Sequence, residues 1–180
     1  MAISVKTIKA CKKGDRKAIK ALYEDCSGWM LGISQRYITD RNEAMSVVNM
    51  SLIAALDGLK NYDENRSEHI EAWLKKILIR KAIDYLRKNK MGTAEISDTT
   101  AQVSNLGESN RRKEELMAMV NSLPPKTRAV FNLFAIEGYK HKEIANMLEI
   151  SDGTSKWHLN EARKLLRRKL EQLDKILPAR

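Results

Sequence analysis

The sequence predicts an all-α protein made of two small helical domains joined by a flexible linker, the second of which contains a helix-turn-helix. Three observations predict this fold class. Apolar residues recur at three- and four-residue spacing over most of the chain, which is the period of an amphipathic helix. Only 8 Gly and 3 Pro occur among 180 residues, which leaves little material for an all-β architecture. A polar segment without helical period, residues 92–110, separates the two helical blocks.

The first block, residues 1–91, begins with two predicted amphipathic helices. Asp15 is placed to cap the first of them. Asp40 and Glu43 have the spacing of a capping box, which opens the second. The apolar positions of these two helices are Ile19, Leu22, Tyr23, Cys26 and Met30, and then Ala44, Val47, Val48, Ser51, Leu52 and Ala55.

A polar, turn-prone segment, residues 58–67, predicts a loop after the second helix. Ser67 is expected to cap a long helix that ends at residues 90–92. The apolar positions of this helix are Ile70, Trp73, Leu74, Ile77, Leu78, Ala82, Tyr85 and Leu86. The first block is therefore predicted to be wholly helical apart from its connections.

The second block, residues 111–180, begins with a helix near Arg111. Pro124 and Pro125 interrupt it, because proline lacks a backbone donor and disfavours a helical residue before it. A helix from Lys126 to Glu137 is then expected to stop at Gly138. The segment that follows carries the most informative pattern in the chain.

Residues 141–160 predict two helices around a tight turn. Ile144, Ala145, Leu148 and Ile150 have the spacing that packs one helix on the next. Ser151 is expected to cap the second helix by accepting from the amide of Gly153 or Thr154. The turn position favours positive φ, yet Glu149 occupies it, which costs roughly 1 kcal/mol of strain. This is the pattern of a helix-turn-helix whose second helix enters the major groove.

The composition of the chain indicates which classes of partner and which compartment to expect. The chain has 33 Lys plus Arg against 23 Asp plus Glu, a net charge of +10, which favours polyanions. Cys11 and Cys26 have neither CxxC spacing nor a partner histidine, so we expect reduced thiols in the cytoplasm. No apolar run is long enough to cross a bilayer, and no cleavable leader is visible, so membrane insertion is not expected.

No catalytic, metal or cofactor site is expected. His69, His141 and His158 lie on three different predicted helices, without HExxH or paired cysteine spacing. Neither a Gly-rich phosphate loop nor a Gly-x-Ser-x-Gly elbow occurs. These absences favour a binding protein over an enzyme.

Positive charge is concentrated on the long helix between Lys75 and Lys90, a stretch in which Asp84 is the only acidic residue. Its basic residues are Lys75, Lys76, Arg80, Lys81, Arg87, Lys88 and Lys90. The same helix holds the aromatic residues Trp73 and Tyr85, but both fall on the apolar stripe and are expected mainly in the core. A basic helix of this kind suits a melted nucleic-acid strand. A second cluster follows the predicted recognition helix and comprises Arg163, Lys164, Arg167, Arg168 and Lys169.

Taken in order, the motifs resemble the extracytoplasmic-function sigma factors of bacterial RNA polymerase. They are Leu22 and Tyr23; Asp40 through Ala44; Ala72, Trp73 and Leu74; Ala82 through Lys88; Leu123, Pro124 and Pro125; Glu143, Ile144 and Ala145; Ile150 and Ser151; Gly153, Thr154 and Lys156; and Leu159 with Ala162, Arg163 and Lys164. The resemblance extends from Asp15 to Leu170. The run Gly-Thr-Ser-Lys is also similar to the Bacteroidetes branch of the family.

The resemblance implies that the first domain binds core polymerase and the minus-ten element. The helix from Asp40 to Leu56 would contact the polymerase clamp, through Glu43, Ser46, Asn49 and Met50. The loop from Lys60 to Ser67 would hold a flipped base, whose extrusion costs a few kcal/mol of stacking. The implied minus-ten residues are Asn61, Asn65, Arg66, Arg80, Asp84, Arg87 and Lys88.

The second domain would, by the same resemblance, bind the minus-thirty-five element as duplex and touch the polymerase flap. The implied DNA-binding residues are Thr154, Lys156, Trp157, Asn160, Arg163 and Lys164. Lys156 and Asn160 would read base edges, and Arg163 and Lys164 would contact phosphates. An anti-sigma factor is a further implied partner, which the linker would allow to clamp the two domains together.

Three departures from the family pattern change these expectations. Met45, Ser46 and Asn49 stand where relatives have an acidic pair followed by Gln, which weakens attraction to a basic clamp. Arg80 replaces a common Asn and favours a phosphate contact over base reading. Trp157 and His158 replace smaller or basic residues, so a relative's minus-thirty-five preference does not transfer.

Three other functions compete with a promoter-specificity subunit. A stand-alone helix-turn-helix regulator would bind duplex operators without polymerase, but leaves residues 60–88 unexplained. A helical interaction protein, such as an anti-sigma factor or adaptor, has no need of the spaced donors on residues 154–160. A nucleic-acid enzyme is the weakest alternative, because no metal or acid–base set is visible.

Overall fold

A computed structural model describes residues 3–63, 69–89 and 108–176 of the chain. All regular structure in these ranges is helical. The chain divides into two compact units, Met1–Leu86 and Arg87–Arg180. The helices are α1 (Val5–Lys12), α2 (Arg16–Ser34), α3 (Arg41–Leu59), α4 (Ile70–Lys88), α5 (Glu108–Asn121), α6 (Pro125–Phe131), α7 (His141–Leu148) and α8 (Asp152–Ile176). The predicted all-α fold with two helical parts is confirmed.

Side-chain caps start α2 and α3 where the sequence predicts. The Asp15 carboxylate accepts from the amides of Lys17 and Ala18, at 2.8 and 3.2 Å. The Asp40 carboxylate accepts from the amides two and three residues further on, at 2.9 Å each. Such caps satisfy donors that have no partner within the helix.

The core of the first unit lies where α1, α2 and α3 pack together, and α4 contributes a long buried stripe. Its largest fully buried side chains are Met30, Tyr37, Val47, Val48, Leu59, Leu74, Leu78, Ile79 and Ile83. Two buried serines are also satisfied, because the Ser34 hydroxyl donates to the Ala44 carbonyl at 3.1 Å and the Ser51 hydroxyl to that of Val47 at 2.7 Å. Buried polar groups left without partners would oppose folding.

The prediction of a loop over residues 58–67 is wrong at its first residues. Helix α3 continues through Gly58 and ends at Leu59, which is 2% exposed. Tyr62 follows in the turn and is 7% exposed. The apolar surface that these two side chains bury keeps the chain on the core beyond the predicted helix end. Ser67, predicted to cap α4, lies outside the described residues.

In the second unit, α8 packs against α5, α6 and α7. Helix α5 begins at Glu108 rather than near Arg111. The helix predicted from Lys126 to Glu137 is α6 followed by a π-helical turn, Asn132–Ile136. The segment then ends as predicted at Gly138, whose φ of +79° suits glycine.

Candidate nucleic-acid interface

Helices α7 and α8 form the predicted helix-turn-helix. Between them, Glu149 has φ 54° and ψ 46°, which is the left-handed conformation predicted for this position. The turn is closed by the amide of Ile150, which donates to the Ala145 carbonyl at 3.0 Å. The Ser151 hydroxyl accepts from the Thr154 amide at 3.0 Å, so the predicted cap is also confirmed.

Buried contacts fix the first turns of α8. Ile144, Ala145 and Leu148 of α7 are buried, as are Ser155, Leu159 and Ala162 of α8. The His141 ring lies with Nδ1 2.9 Å from the Ser155 hydroxyl oxygen, and it stacks on Phe134 at a centroid distance of 4.6 Å. These contacts leave the opposite face of α8 free to face a ligand.

That opposite face carries most of the predicted minus-thirty-five residues. Trp157, Asn160 and Lys164 follow each other at helical spacing and are all exposed, Trp157 by 59%. Arg163 is exposed on the flank. Thr154 differs, because it is half-buried and its hydroxyl oxygen lies 2.8 Å from that of Ser151. Thr154 therefore belongs to the cap of α8 as much as to its outer face.

Lys156 is held by a neighbour on its own helix. Its Nζ lies 2.7 Å from a carboxylate oxygen of Asp152, one turn earlier. The hydrogen bond from Lys156 lowers the pKa of Asp152 from its ordinary value, and burial partly opposes this. The cation predicted to read a base edge therefore has a competing anion beside it. This i, i+4 spacing is visible in the sequence and was overlooked there.

His158 links the recognition helix to α6. Its Nδ1 lies 3.0 Å from the hydroxyl oxygen of Thr127, a residue only 3% exposed. Burial lowers the pKa of His158, and the nearby cation of Lys126 lowers it further. The ring also contacts Trp157 edge to face, with centroids 4.9 Å apart at 72°. Sequence reasoning missed this link, since it joins residues far apart in the chain.

Helix α4 brings four of the predicted minus-ten residues together. Arg80, Asp84, Arg87 and Lys88 are spaced so that they share one face of the helix. Arg80, Arg87 and Lys88 are exposed, and Asp84 is half-buried. Three cations on one face form a surface suited to phosphates.

The turn after α3 carries Asn61, which is exposed. The next residue, Tyr62, is fixed on both sides. Its ring lies 5.0 Å from that of Trp73, and its carbonyl accepts from the Lys12 Nζ at 2.7 Å. The start of the predicted minus-ten loop is thus held against α1 and α4. Asn65 and Arg66, the other predicted loop donors, lie outside the described residues.

The predicted polymerase-binding residues Glu43, Ser46, Asn49 and Met50 share one exposed face of α3. Asn49 is oriented by Tyr23, whose hydroxyl donates to its Oδ1 at 3.2 Å. The same two residues border an apolar groove between α2 and α3. Its lining is Ile19, Leu22, Tyr23, Asn49, Leu52, Ile53 and Leu56. Sequence reasoning missed Ile53, although it is 61% exposed and lies outside the buried stripe of α3.

Two family models match this chain, one over the helices of its first half and one over the helix-turn-helix. Residues 22–91 match the family model Sigma-70 region 2, and residues 113–166 match Sigma-70, region 4. The RNA polymerase sigma factor SigV of Bacillus subtilis is 30% identical over 138 residues, which cover 77% of this chain and 82% of SigV. The chain belongs to the extracytoplasmic-function sigma factors.

Two further comparisons agree with this family. The ECF RNA polymerase sigma factor SigW of Bacillus subtilis is 27% identical over 93% of this chain and 97% of its own. A solved structure of the sigma factor RpoE with the anti-sigma factor NepR, from Bartonella quintana, has the same fold, with a TM-score of 0.51 and 18% identity over 86% of this chain and 98% of that chain.

As a sigma factor, the chain binds core RNA polymerase and directs transcription initiation at promoter DNA. The family consists of such binding subunits rather than enzymes. None of the helices in the described part of the chain combines the length and apolar content needed to cross a membrane. Among the described residues, His, Cys, Asp and Glu nowhere gather in a group of three that could hold a metal ion.

Proposed function

We propose that this sigma factor holds a promoter at two points, one on α4 with the turn that follows α3, and one on α8. The observation that carries the proposal is the exposed face of α8, where Trp157, Asn160 and Lys164 stand opposite a buried, hydrogen-bonded face. This face reads the minus-thirty-five element in the major groove. Lys156 and Thr154 assist from its edge, and Arg163 and Lys164 contact phosphates.

The minus-ten element is bound by α4 and by the turn that follows α3. Arg80, Arg87 and Lys88 attract the phosphates of the opening strand, because they lie exposed on one face of α4. Asp84 lies among them and reduces their net charge. Asn61 donates to an extruded base from a turn that Tyr62 anchors, and Asn65 and Arg66 complete the donor set.

Core polymerase is bound by α3. Glu43 and Ser46 form one end of this surface and are polar, and Met50 lies at the other end, next to Asn49, which borders the groove. Met50 is 47% exposed and Ile53, one turn later at the groove, is 61% exposed, so the two form an apolar patch that suits burial against a partner. Apolar contact therefore compensates for the acidic pair that this chain lacks.

The proposed domain limits are 1–91 for the minus-ten and polymerase-binding domain, 92–110 for the linker and 111–180 for the minus-thirty-five domain. The chain has no catalytic activity of its own and needs no cofactor. It works in the cytoplasm, where promoter and polymerase meet, and it captures thermally opened promoter by preferring the unpaired strand. We also propose that an anti-sigma factor regulates the chain and that the chain belongs to the Bacteroidetes branch of the family.

The test is transcription with purified sigma-free core polymerase on a library of random duplexes placed upstream of a reporter. We expect transcripts from a selected set of templates sharing two elements. Replacing both Arg80 and Lys88 with Ala should leave polymerase binding intact and reduce open complexes at least tenfold, since two phosphate contacts are lost. Lys20→Ala, an exposed cation that pairs with Glu24 on α2, is the matched control.

A stand-alone regulator would behave differently in the same assay. It would shift duplex DNA without polymerase and yield no transcripts, and the Arg80 and Lys88 substitutions would leave its binding unchanged. That result would overturn the proposed function.

A further inference from the structure

The exposed indole of Trp157 has no role in the polar and phosphate contacts proposed for α8. Trp157 is 59% exposed, in the middle of the face of α8 that turns away from the core. An indole offers a large apolar area, which favours burial against a partner. Its place between Lys156 and Asn160 makes promoter DNA the partner that this face meets.

The indole is supported from behind. The His158 ring packs edge to face against it, with centroids 4.9 Å apart. His158 is in turn held by Thr127, whose hydroxyl oxygen lies 3.0 Å from its Nδ1. Thr127 is buried in α6. A side chain braced in this way loses little conformational freedom when it binds, which suits a specificity contact.

Gly153 lies one turn before Trp157 on α8 and leaves the surface there without a side chain. A Cβ atom at Gly153 would meet only the Ser151 hydroxyl, at 3.7 Å. The absence of a side chain there leaves room for DNA beside the exposed face that carries the indole.

The neighbouring cation does not compete for this role. Lys156 is paired with Asp152 at 2.7 Å, so its charge is partly neutralised before DNA arrives. Asn160 and Lys164 lie one and two turns beyond Trp157 and supply polar and phosphate contacts. The apolar ring therefore adds a kind of contact that the polar residues cannot make.

Among the groups that bases present in the major groove, the C5-methyl of thymine is the one that an apolar side chain recognises. We propose that Trp157 selects a thymine in the minus-thirty-five element through this methyl group. The inference rests on the proposed function, since it requires α8 to lie in the major groove at that element.

The test uses the holoenzyme formed from the full chain and core polymerase. Its preferred minus-thirty-five sequence is first selected from random duplexes, and each thymine is then replaced singly by deoxyuridine, which removes only the methyl group. For the wild type, one such replacement should weaken binding about fourfold, which is the effect of one buried methyl group. With Trp157→Ala, that replacement should have no effect, and with Trp157→Phe part of the effect should return.

Lys164→Ala is the matched control. It should weaken binding to the thymine and deoxyuridine duplexes by the same factor, because a phosphate contact does not sense the base. The inference is overturned if the wild type tolerates deoxyuridine at every position, or if Trp157→Ala retains the wild-type response. It is also overturned if Trp157→Ala weakens binding to core polymerase without DNA, which would assign the indole to a protein interface.

If the proposed function itself is wrong, the same experiment gives a different result. In that case the holoenzyme would select no minus-thirty-five sequence and would start no transcripts. A holoenzyme that selects a sequence and initiates, yet does not respond to the methyl group, rejects the role of Trp157 alone.

Discussion

Gly58 lies directly against the indole of Trp73: a Cβ atom at position 58 would be 3.1 Å from Cζ2 and 3.3 Å from Cη2 of that ring. The same indole packs on Tyr62, with ring centroids 5.0 Å apart. Gly58 therefore sets how closely the end of α3 approaches α4. Through Tyr62, this approach also positions the turn that carries Asn61.

Gly58→Ala tests this close approach. Replacing glycine with alanine within a helix ordinarily stabilises it by about 0.5–1 kcal/mol. At Gly58 we expect the displaced indole to cancel this gain and to change the fluorescence of Trp73. Gly32→Ala in α2, where an added Cβ meets nothing within 4 Å, should show the full gain. Equal gains in urea unfolding of the two variants would contradict the prediction.

Glu149→Gly should stabilise the second unit. A non-glycine residue in the left-handed region carries strain of about 1 kcal/mol, and the φ of 54° places Glu149 there. Removing the strain should raise the melting temperature of this unit by about 4–8 °C. Glu149→Ala is the control, because it removes the carboxylate but keeps the strain. Hydrogen exchange of α7 amides, measured in the full chain, separates this unit from the first.

The second unit should lose stability in mild acid because of His158. Its pKa is lowered from 6.5, first by burial and then by Lys126, so the folded unit binds a proton less readily than the unfolded chain does. The stability is therefore complete above pH 6.5 and is lost as pH falls through the lower folded pKa. His158→Gln should flatten this dependence in unfolding measured between pH 7.5 and 5. His69→Gln, at an exposed position of the first unit, should not.

Asp152→Asn should strengthen binding of the holoenzyme to promoter DNA. The change removes a negative charge beside the phosphates and releases Lys156 from its 2.7 Å pair. We expect a gain of about two- to fivefold at low salt, since exposed ion pairs of this kind are weak. The gain should shrink as salt rises. In a chain that also carries Lys156→Ala, most of the gain should vanish; if it persists in full, Lys156 does not contact DNA.

Cys26 should react slowly with thiol reagents. Burial, followed by the charge of Asp25, raises its pKa to about 11, and the side chain is 0% exposed. Since the thiolate is the reactive form, little of it exists at neutral pH. Labelling of Cys26 with a disulfide reagent should therefore occur only as fast as the first unit unfolds. The Cys11→Ser variant is used for this measurement, because Cys26 is then its only cysteine. Rapid labelling of the native chain would contradict this expectation.

Helix starts and the left-handed turn were predictable, because their causes are local. Asp15, Asp40 and Ser151 each satisfy amides within three residues, and the position of Glu149 follows from the end of α7. The exposed face of α8 was predictable for the same reason, since helical spacing separates Trp157 and Asn160 from the buried stripe.

The features that sequence reasoning missed depend on distant parts of the chain. Leu59 and Tyr62 extend α3 and its turn only because a core is present to bury them. The brace from Thr127 to His158 joins α6 to α8. Ile53 was a missed local signal, since helical spacing places it next to Met50 and outside the buried stripe of α3.

The π-helical turn at Asn132–Ile136 is equivalent to an α-helix with one residue too many. Deleting a single residue there would let α6 run on as a regular helix. Each later residue of that segment would then turn by about 100° about the helix axis. Phe134 stacks on His141 in the present structure, and after such a rotation it would no longer face that ring. The length of this turn, counted in residues, is thus as much a part of the recognition apparatus as any side chain on α8.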